Sequence, residues 1–318
     1  MKPLRIGITM GDPSGIGPEI LGKILRLPGA QVRDCLIIGD RWVMEQAAGR
    51  RQRPVAGQFL DVSNVKRASF RFGRVQAVYG KASMEYLDTA LALLAEGTID
   101  CLVTCPISKE AVHLAGYRHF SGHTEYLAAR SGSQDTVMML LNDCLKFSLV
   151  TRHIPLENVA AALKPRDIRF VVRTTHESLQ TLFSIRRPRL GVCAVNPHAS
   201  DNGLIGDQEN RVLKPVIRGL QKRYKGVCGP EPADSAIAKA VKGGYDALIA
   251  MYHDQALIPL KLTGAQSGVN ITLGLPYVRT SPLHGTAFDI AGKGVADPSS
   301  LLAAIRRARQ CAHALKKA

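Results

Sequence analysis

The sequence predicts an α/β protein whose sheet is mostly parallel. Short apolar runs of strand length alternate along the chain with stretches that have the length and polarity of helices. These apolar runs are nearly continuous, which is typical of strands that helices cover on both faces. There are no repeats and no low-complexity linker, so we expect any second domain to pack closely against the first rather than hang from a tether.

The predicted elements follow one another in a regular order. Strands are predicted at residues 4–10, 35–39, 75–79, 101–104, 137–141, 145–151, 190–195, 247–251 and 269–273. Helices are predicted at residues 18–27, 41–48, 83–96, 123–130, 166–183, 209–224, 234–242 and 299–315. The helix at 18–27 has proline at its first position, and the helix at 83–96 is amphipathic. Residues 50–73 show neither pattern and are predicted to be mostly loop.

Length and composition fit a globular protein with one large or two modest domains. The chain has 318 residues, of which 46% are hydrophobic. No apolar run approaches the roughly 20 residues of a membrane helix, and the N-terminus lacks the features of a signal peptide. The seven cysteines are scattered without a CxxC pair, which favours reduced thiols over disulfides or a zinc ribbon. We therefore expect a cytoplasmic protein with no membrane partner.

The net charge of +16 has two interpretations. A basic protein can bind nucleic acid, or it can attract small anionic substrates. The Lys and Arg clusters are dispersed and have no interleaved aromatic residues to stack on bases. This favours a solvated basic surface and no nucleic-acid partner, while a nucleic-acid binder remains the alternative from outside the enzyme class.

Three histidines follow predicted strands at the points where the strands end. His153, His198 and His253 follow the mostly apolar runs LKFSLVT, RLGVCAV and ALIAM, separated from them by one or two residues. In α/β proteins, ligands bind beyond the carboxyl ends of parallel strands. Three imidazoles that converge there would form a divalent-metal site with open positions for substrate oxygens. The histidines are 45 and 55 positions apart, so spacing alone leaves a structural role for each of them open.

Two loops contain polar groups beside a predicted helix start. Residues 11–19, GDPSGIGPE, have backbone amides that would suit an anion, but their glycine spacing matches neither GxGxxG nor a phosphate loop. A tight structural turn explains this stretch equally well. In residues 121–125, SGHTE, Thr124 would either cap the helix or bind a phosphate oxygen.

Further polar groups lie in apolar surroundings near the C-terminal third. Lys261, Asn270 and Arg279 would suit a carboxylate or a phosphate. Residues 284–294, HGTAFDIAGKG, form a glycine-punctuated loop in which an aspartate would hydrogen-bond ribose hydroxyls. A loop with demanding backbone conformations is the alternative.

Taken together, these motifs resemble a known family. GDPSGIGPE, SGHTE, NPH, MYHDQA, VNITLGLPYVRTS and HGTAFDIAGKG stand in the order and spacing of the 4-hydroxythreonine-4-phosphate dehydrogenases of pyridoxal phosphate biosynthesis. The resemblance covers nearly the whole chain. HGTAFDIAGKGVADP is also similar to the adenosine-binding loop of isopropylmalate dehydrogenases, which share that fold.

The resemblance implies a fold and an assembly. The fold is two α/β/α domains like those of isopropylmalate and isocitrate dehydrogenases. Residues 1–125 with 273–318 would form the domain that carries both termini and the cofactor loop, as we call residues 284–294. Residues 126–272 would form the domain with the metal-ligand histidines and the dimer contacts. The expected homodimer has its active site in the interdomain cleft, completed by the partner subunit.

The resemblance also assigns roles to residues of this sequence. The implied metal ligands are His153, His198 and His253, for Zn, Mg or Co. The implied substrate-binding residues are His123, Thr124, Lys261, Asn270 and Arg279. The implied cofactor-binding residues are His284, Gly285, Thr286, Ala287 and Asp289. The carboxylate of Asp289 would repel the 2′-phosphate of NADP, so NAD is the favoured cofactor and NADP is the alternative. The catalytic candidates are Lys261 and Asp254, by their reach from His253, and Asp234 in the PADSA stretch.

The implied reaction is the NAD-dependent oxidation of 4-phosphohydroxy-L-threonine to 2-amino-3-oxo-4-phosphooxybutanoate, which decarboxylates to 3-amino-2-oxopropyl phosphate. A metal would polarise the reacting hydroxyl, and the cofactor would accept the hydride. Threonate or erythronate 4-phosphate and cis-dihydrodiol carboxylates remain alternative substrates. The sequence departs from the family at Ala256, where glycine is usual. It departs again at residues 199–201, Ala-Ser-Asp, where the biosynthetic enzymes often have Ala-Gly-Glu and the cis-dihydrodiol dehydrogenases have an Ala-Ser pair.

Overall fold

The computed structural model describes residues 4–27, 32, 34–47, 58–133 and 135–317. The chain divides into two compact units, one of residues 1–136 and 275–316 and one of residues 137–274 and 317–318. In this division the first border follows residue 136, and Tyr126 and Arg130 of the helix that begins at His123 contact Asp88 of the first unit.

Strands and helices alternate through the described chain, as the sequence predicts. The strands are β1 (Ile6–Thr9), β2 (Cys35–Gly39), β3 (Gln58–Asp61), β4 (Cys101–Thr104), β5 (Val137–Leu141), β6 (Lys146–Leu149), β7 (Leu190–Cys193), β8 (Val227–Glu231), β9 (Ala247–Ala250), β10 (Val269–Leu273) and β11 (Val278–Pro282). The helices are α1 (Gly17–Ile24), α2 (Arg41–Ala47), α3 (Ala77–Ala95), α4 (Lys109–Leu114), α5 (His123–Arg130), α6 (Val159–Ala162), α7 (Pro165–Thr181), α8 (Lys214–Gln221), α9 (Ala233–Val241), α10 (His253–Gly264) and α11 (Ser299–Leu315).

In the first unit the strand order is β3-β2-β1-β4-β11, and every one of these neighbouring pairs is parallel. Strands β1, β2 and β4 are buried at every position, as expected for nearly continuous apolar runs covered on both faces. In the second unit the order is β10-β5-β6-β9-β7-β8. Only β5 runs against its neighbours β10 and β6 there, so the prediction of an α/β fold with a mostly parallel sheet is confirmed.

One predicted element is wrong in type. Residues 75–79 are not a strand, because α3 begins at Ala77 and buries Tyr79 and Gly80 against α4. A side chain at Gly80 would approach the Ala111 carbonyl oxygen to 2.0 Å, so this contact requires glycine. An apolar run of five residues has too few positions to distinguish a strand from one helical turn.

Other elements are missing from the prediction. Strand β3 lies within the stretch predicted to be loop, and β8, β11, α4, α6 and α10 were not predicted. Strand β8 contains Gly229 and Pro230, and α10 contains Pro259, so breaker residues hide both elements from a propensity argument. In the described residues no helix has the length and apolarity that crossing a membrane requires. All seven cysteines are free thiols.

The arrangement of β6, β9 and β7 positions the functional residues. These three strands are adjacent and parallel, with Leu149 beside Ala250 and Val192 beside Ile249. Their carboxyl ends therefore meet at one edge of the sheet, and each is followed within a few residues by one of the three histidines.

Candidate active site

Two of the three histidines share a pocket in the second unit. His153 follows β6 and His253 is the first residue of α10, and their ring centroids are 5.4 Å apart with the planes tilted by 45°. Both rings line a pocket of about 400 Å³ together with Arg152, Tyr252 and Asp254. His153 is exposed and His253 is partly exposed, so both imidazoles are accessible to a ligand.

Asp254 orients the imidazole of His253. The Nδ1 atom of His253 lies 2.7 Å from the Oδ1 atom of Asp254. A carboxylate at this distance favours the tautomer that donates from Nδ1, which leaves the lone pair of Nε2 available. Such a carboxylate–histidine pair is the usual outer support of a metal-binding histidine.

His198 lies on a loop with an unusual backbone. Residues 198–202 all have positive φ angles, between 41° and 66°, although none of them is glycine. This left-handed conformation is strained for residues with a Cβ atom. His198 is exposed and does not line the pocket of the other two histidines. Across the described ranges, no three His, Cys, Asp or Glu side chains lie close enough to hold a metal.

The donor set of one chain thus fits a divalent cation in part. Two accessible imidazoles, one of them oriented by a carboxylate, are suitable ligands for Zn, Co or a similar ion. A site with three protein ligands would need a further donor, from a different position of His198 or from another chain.

Glu209 holds the segment that leads to His198. Its buried carboxylate accepts hydrogen bonds from the backbone amides of Val195 and Asn196, both at 2.9 Å, and from the Asn196 side chain at 2.8 Å. Glu209 begins a π-helical turn directly before α8. Such turns are frequent at functional sites. The sequence pattern does not reveal this role, because nothing marks Glu209 among the polar residues around it.

Gln255 connects the ends of two strands of the site. Its Oε1 atom accepts from the Met251 amide at 2.7 Å, and its Nε2 atom donates to the Ala194 carbonyl at 2.8 Å. The first contact fixes the turn between β9 and α10, and the second joins that turn to the end of β7. In the sequence, Gln255 stands in the MYHDQA motif, and nothing there indicates this connection.

The remaining predicted residues of the second unit lie apart from the histidine pocket. Lys261 is exposed and lies eight residues beyond His253 on α10, which is about 12 Å along a helix axis. Asn270 lies on β10 opposite Leu140, and its buried Oδ1 atom has no hydrogen-bond partner. A buried acceptor of this kind is uncommon and suits a ligand. Asp234 is exposed in the first turn of α9.

A buried arginine dominates the candidate anion site of the first unit. Arg279 on β11 is 2% exposed, and its Nε and Nη2 atoms donate to the Thr104 hydroxyl at 3.2 and 2.5 Å. Burial lowers the pKa of Arg279 to about 10, while Tyr277 and Glu125 oppose the shift. The guanidinium therefore keeps its charge at neutral pH.

His123 and Thr124 begin α5 beside this arginine. Burial lowers the pKa of His123 well below its ordinary value, and the positive charges of Arg279 and Lys109 lower it further. The imidazole is thus neutral at pH 7. Gly122 is the N-cap residue, so the capping role considered for Thr124 is wrong and its buried side chain lies within the helix. Lys109 was not predicted, although it follows β4 in the same way that the histidines follow their strands.

The GDPSGIGPE stretch is a structural turn rather than an anion cradle. The backbone amides of Asp12, Ser14, Gly15 and Ile16 are all used in hydrogen bonds within the chain. Asp12 is buried with one carboxylate oxygen unpartnered, and burial raises its pKa to about 7. A buried carboxyl group would oppose an anion, so of the two interpretations of this stretch the structural one is correct.

The cofactor loop has groups that fit a dinucleotide. Asp289 and Gly285 are both exposed. The Nδ1 atom of His284 lies 3.1 Å from the Gly285 carbonyl, while its buried Nε2 atom has no partner. The loop therefore has an exposed carboxylate and a buried imidazole nitrogen without a partner, and Thr286 and Ala287 lie between these two residues in the chain.

Comparison with known proteins places the chain in a family. A family model described as "Pyridoxal phosphate biosynthetic protein PdxA" matches residues 31–308. The chain belongs to the PdxA family. A Beijerinckia indica relative named 4-hydroxythreonine-4-phosphate dehydrogenase is 44% identical over 315 residues, which cover 93% of this chain and 91% of the relative. The resemblance stated from the sequence motifs is thereby confirmed.

Two further PdxA-like proteins show how far the similarity extends. A Cupriavidus necator protein named D-threonate 4-phosphate dehydrogenase is 41% identical over 328 residues, covering 96% of this chain and 97% of that protein. The crystal structure of a 4-hydroxythreonine-4-phosphate dehydrogenase from Klebsiella pneumoniae is 36% identical with a TM-score of 0.87, covering 98% of this chain and all of that one. The chain is thus similar throughout its length to dehydrogenases with two different named substrates.

The departures of this PdxA-family chain lie close to its histidines. Ala256 is fully buried just behind His253, so its extra methyl group packs inside the unit rather than into the pocket. Ser200 is also fully buried, and its hydroxyl has no hydrogen-bond partner. Ser200 therefore combines a left-handed backbone with an unsatisfied polar atom in the His198 loop.

Proposed function

We propose that this chain is an NAD- and divalent-metal-dependent dehydrogenase of 4-phosphohydroxy-L-threonine. The product would be the 3-oxo acid, which loses carbon dioxide to give 3-amino-2-oxopropyl phosphate. The observation that carries the proposal is the pair of imidazoles of His153 and His253 at the ends of adjacent strands. The carboxylate of Asp254 lies within hydrogen-bond distance of the Nδ1 atom of His253.

His153 and His253 would hold the metal through their accessible nitrogens, with His198 as the third ligand. A bound divalent ion would lower the pKa of the substrate hydroxyl and stabilise negative charge on its oxygen. Asp254 would act through His253 by fixing its tautomer, in addition to being a candidate proton acceptor. Lys261 and Asp234 remain the other candidates for the proton-transfer step.

Arg279 would supply the positive charge for the substrate phosphate. The geometry favours an arginine for this role, because its planar guanidinium forms two parallel hydrogen bonds with phosphate oxygens. Neutral His123 would add a hydrogen bond rather than a charge, and Thr124 would add a hydroxyl at the start of α5. Lys261 and Asn270 are carried over from the family resemblance as further substrate contacts.

The cofactor loop would bind the adenosine half of the dinucleotide. The exposed carboxylate of Asp289 can accept hydrogen bonds from ribose hydroxyls, and His284 to Ala287 would line the same site. A carboxylate at this position would repel the 2′-phosphate of NADP. NAD is therefore the proposed hydride acceptor.

The proposed enzyme is a cytoplasmic homodimer. Large apolar residues of the second unit are exposed close to the three histidine segments: Ile154, Leu156, Leu204, Ile205, Ile258 and Leu262. Leu204 and Leu262 are more than 80% exposed, which is unusual for isolated surface leucines in such number. A second copy of the chain would cover these residues and bring a further ligand to the metal. We propose no nucleic-acid or membrane partner.

A second candidate keeps the reaction and changes the substrate to D-threonate or erythronate 4-phosphate. The similarity to a D-threonate 4-phosphate dehydrogenase favours this candidate nearly as strongly. A cis-dihydrodiol carboxylate is less favoured, because it has no phosphate to neutralise the buried Arg279.

One assay tests these candidates together. The purified protein is incubated with a divalent metal and NAD or NADP, and NADH or NADPH formation is followed with 4-phosphohydroxy-L-threonine, threonate 4-phosphate and erythronate 4-phosphate. We expect NAD reduction that is highest with 4-phosphohydroxy-L-threonine and that stops on chelation. A higher kcat/KM with threonate 4-phosphate would select the second candidate. Salt-dependent DNA binding without turnover of any phosphorylated hydroxy acid would contradict both.

A further inference from the structure

Helix α1 presents two charged side chains to the segment that ends the cofactor loop. The carboxylate of Glu19 accepts from the amide of Ala296 at 2.7 Å and from the amide of Gly294 at 3.1 Å. The ammonium of Lys23 donates to the carbonyls of the same two residues, at 2.9 Å for Gly294 and 2.5 Å for Ala296. Both backbone groups of both residues are thus bound by one helix.

Glu19 and Lys23 also support one another. They are one helical turn apart, and their charged groups are separated by 3.0 Å. Glu19 is only 1% exposed, so these partners take the place of water around its carboxylate. Hydrogen bonds that involve an ionised group are stronger than neutral ones, and this segment has four of them. The Glu19–Lys23 pair therefore fixes residues 294–296 more firmly than surface contacts would.

The beginning of the cofactor loop is held by the residues just before α1. The amide of Ile16 donates to the Thr286 carbonyl at 3.0 Å. A side chain at Gly15 would approach that same carbonyl oxygen to 3.0 Å, so the two segments are in close contact. The GDPSGIGPE stretch thus contacts both ends of the cofactor loop, through Ile16 at Thr286 and through Glu19 at Gly294.

We propose that Glu19 and Lys23 are positioning residues for dinucleotide binding. They hold the end of the cofactor loop so that Asp289 and His284 are presented in their binding arrangement before the dinucleotide arrives. A loop that is ordered in advance loses less conformational entropy on binding, so affinity for the dinucleotide depends on the pair. This inference rests on the proposed function of the cofactor loop.

The test compares Lys23→Met with a matched control. Methionine keeps most of the apolar length of lysine but removes both hydrogen bonds to the loop. The control is Lys316→Met, which removes a 2.7 Å ion pair with Asp100 in the same unit, where Lys316 is similarly exposed. NAD binding is measured by calorimetry without the phosphorylated substrate, and hydrogen exchange is measured at the amides of residues 294–296. Glu19→Gln serves as a second variant if it remains folded by circular dichroism.

For Lys23→Met we expect the Kd for NAD to rise about tenfold, with faster amide exchange at 294–296. The kcat at saturating NAD and the KM for the phosphorylated substrate should stay within about twofold of wild type, as should every constant of Lys316→Met. An unchanged Kd for NAD in Lys23→Met would overturn the inference while leaving the proposed function intact. A parallel rise in the KM for the phosphorylated substrate would also overturn it, because the pair would then be only a general support of the unit. A wild-type protein that binds no dinucleotide would overturn the proposed function and this inference together.

Discussion

The two units carry their functional side chains in opposite environments. In the second unit, His153 and His198 are exposed and His253 is partly exposed, and their orientation depends on short loops beyond strand ends. In the first unit, Arg279 and Thr124 are buried, and burial, reinforced by the neighbouring positive charges, lowers the pKa of His123. Substitutions of the three histidines should therefore change the rate of the reaction and leave the fold intact. Substitutions in the buried cluster should change ligand binding and pH dependence together.

The largest expected effect is that of His253→Ala. Loss of a proposed metal ligand should lower kcat about a thousandfold, because the hydroxyl would no longer be polarised. The free energy of unfolding should change by about 0.5 kcal/mol or less, since the side chain is partly exposed. Steady-state assays and urea unfolding measure the two effects. The control is His313→Ala, on the last turn of α11. It should leave both kcat and the free energy of unfolding nearly unchanged.

Arg279→Met, in the buried cluster of the first unit, should have the next largest effect. Removing the buried guanidinium should raise the KM for the phosphorylated substrate about a hundredfold, because a charged phosphate contact is lost. The control is Arg309→Met, which breaks an ion pair with Asp34 in the same unit. That control should lower the melting temperature and leave the KM unchanged. An Arg279→Met enzyme with an ordinary KM would remove Arg279 from the substrate site.

Asp254→Asn separates metal support from proton transfer. If Asp254 orients His253, the variant should bind metal about 10- to 100-fold more weakly and recover most of its kcat at saturating metal. If Asp254 accepts the substrate proton, kcat should stay low at every metal concentration. Metal titrations of the chelator-treated variant decide between the two roles, and Asp234→Asn measures the third catalytic candidate under the same conditions.

Asp12→Asn tests the pH dependence of the buried first unit. The folded-state pKa of Asp12, about 7, lies above its ordinary value of 3.8 because of burial. The protonated form therefore stabilises the fold below pH 3.8, and this stability is lost as the pH rises towards 7. Asn cannot ionise, so the variant should lose about 3 kcal/mol less stability than wild type between pH 4.5 and pH 8. Asp61→Asn, at an exposed position, should show the wild-type dependence in urea unfolding.

The smallest expected effect is a gain in stability from Ser200→Gly in the loop that contains His198. Glycine relieves the left-handed backbone at φ 66° and removes a buried hydroxyl without a partner. We expect the free energy of unfolding to rise by about 1 kcal/mol, with kcat nearly unchanged. Ser184→Gly is the matched control, because Ser184 has a similar φ of 57° but is exposed. A loss of stability in Ser200→Gly would show that the serine hydroxyl has a partner in the folded protein.

The sequence predicted those features that depend on local pattern. Nearly continuous apolar runs identified β1, β4 and β9, and the polar residues just after β6, β7 and β9 identified the three histidines. Helix α10 was missed because Pro259 lies inside it. Its end is held instead by Asn142, whose side chain donates to Leu260 at 2.9 Å across a sequence distance of more than a hundred residues.

Contacts between distant segments could not be predicted in the same way. Glu209, Gln255 and Lys109 look like ordinary surface residues in the sequence, and only the fold brings them to the site. The GDPSGIGPE stretch left two interpretations open, because glycine spacing does not reveal whether backbone amides are already paired. The pairing of these amides within the chain decided that question.

The central claim is that His153, His198 and His253 bind a divalent ion and that the dehydrogenase reaction requires this ion. The most direct test is a metal titration of chelator-treated protein in the presence of NAD and 4-phosphohydroxy-L-threonine, with binding followed by calorimetry and turnover by NADH absorbance. We predict that NADH formation rises in proportion to the occupied fraction of one metal site per active site, and that His253→Ala weakens metal binding and lowers turnover about a thousandfold. NADH formation at the full rate in chelator-treated protein, or in His253→Ala, would contradict the claim.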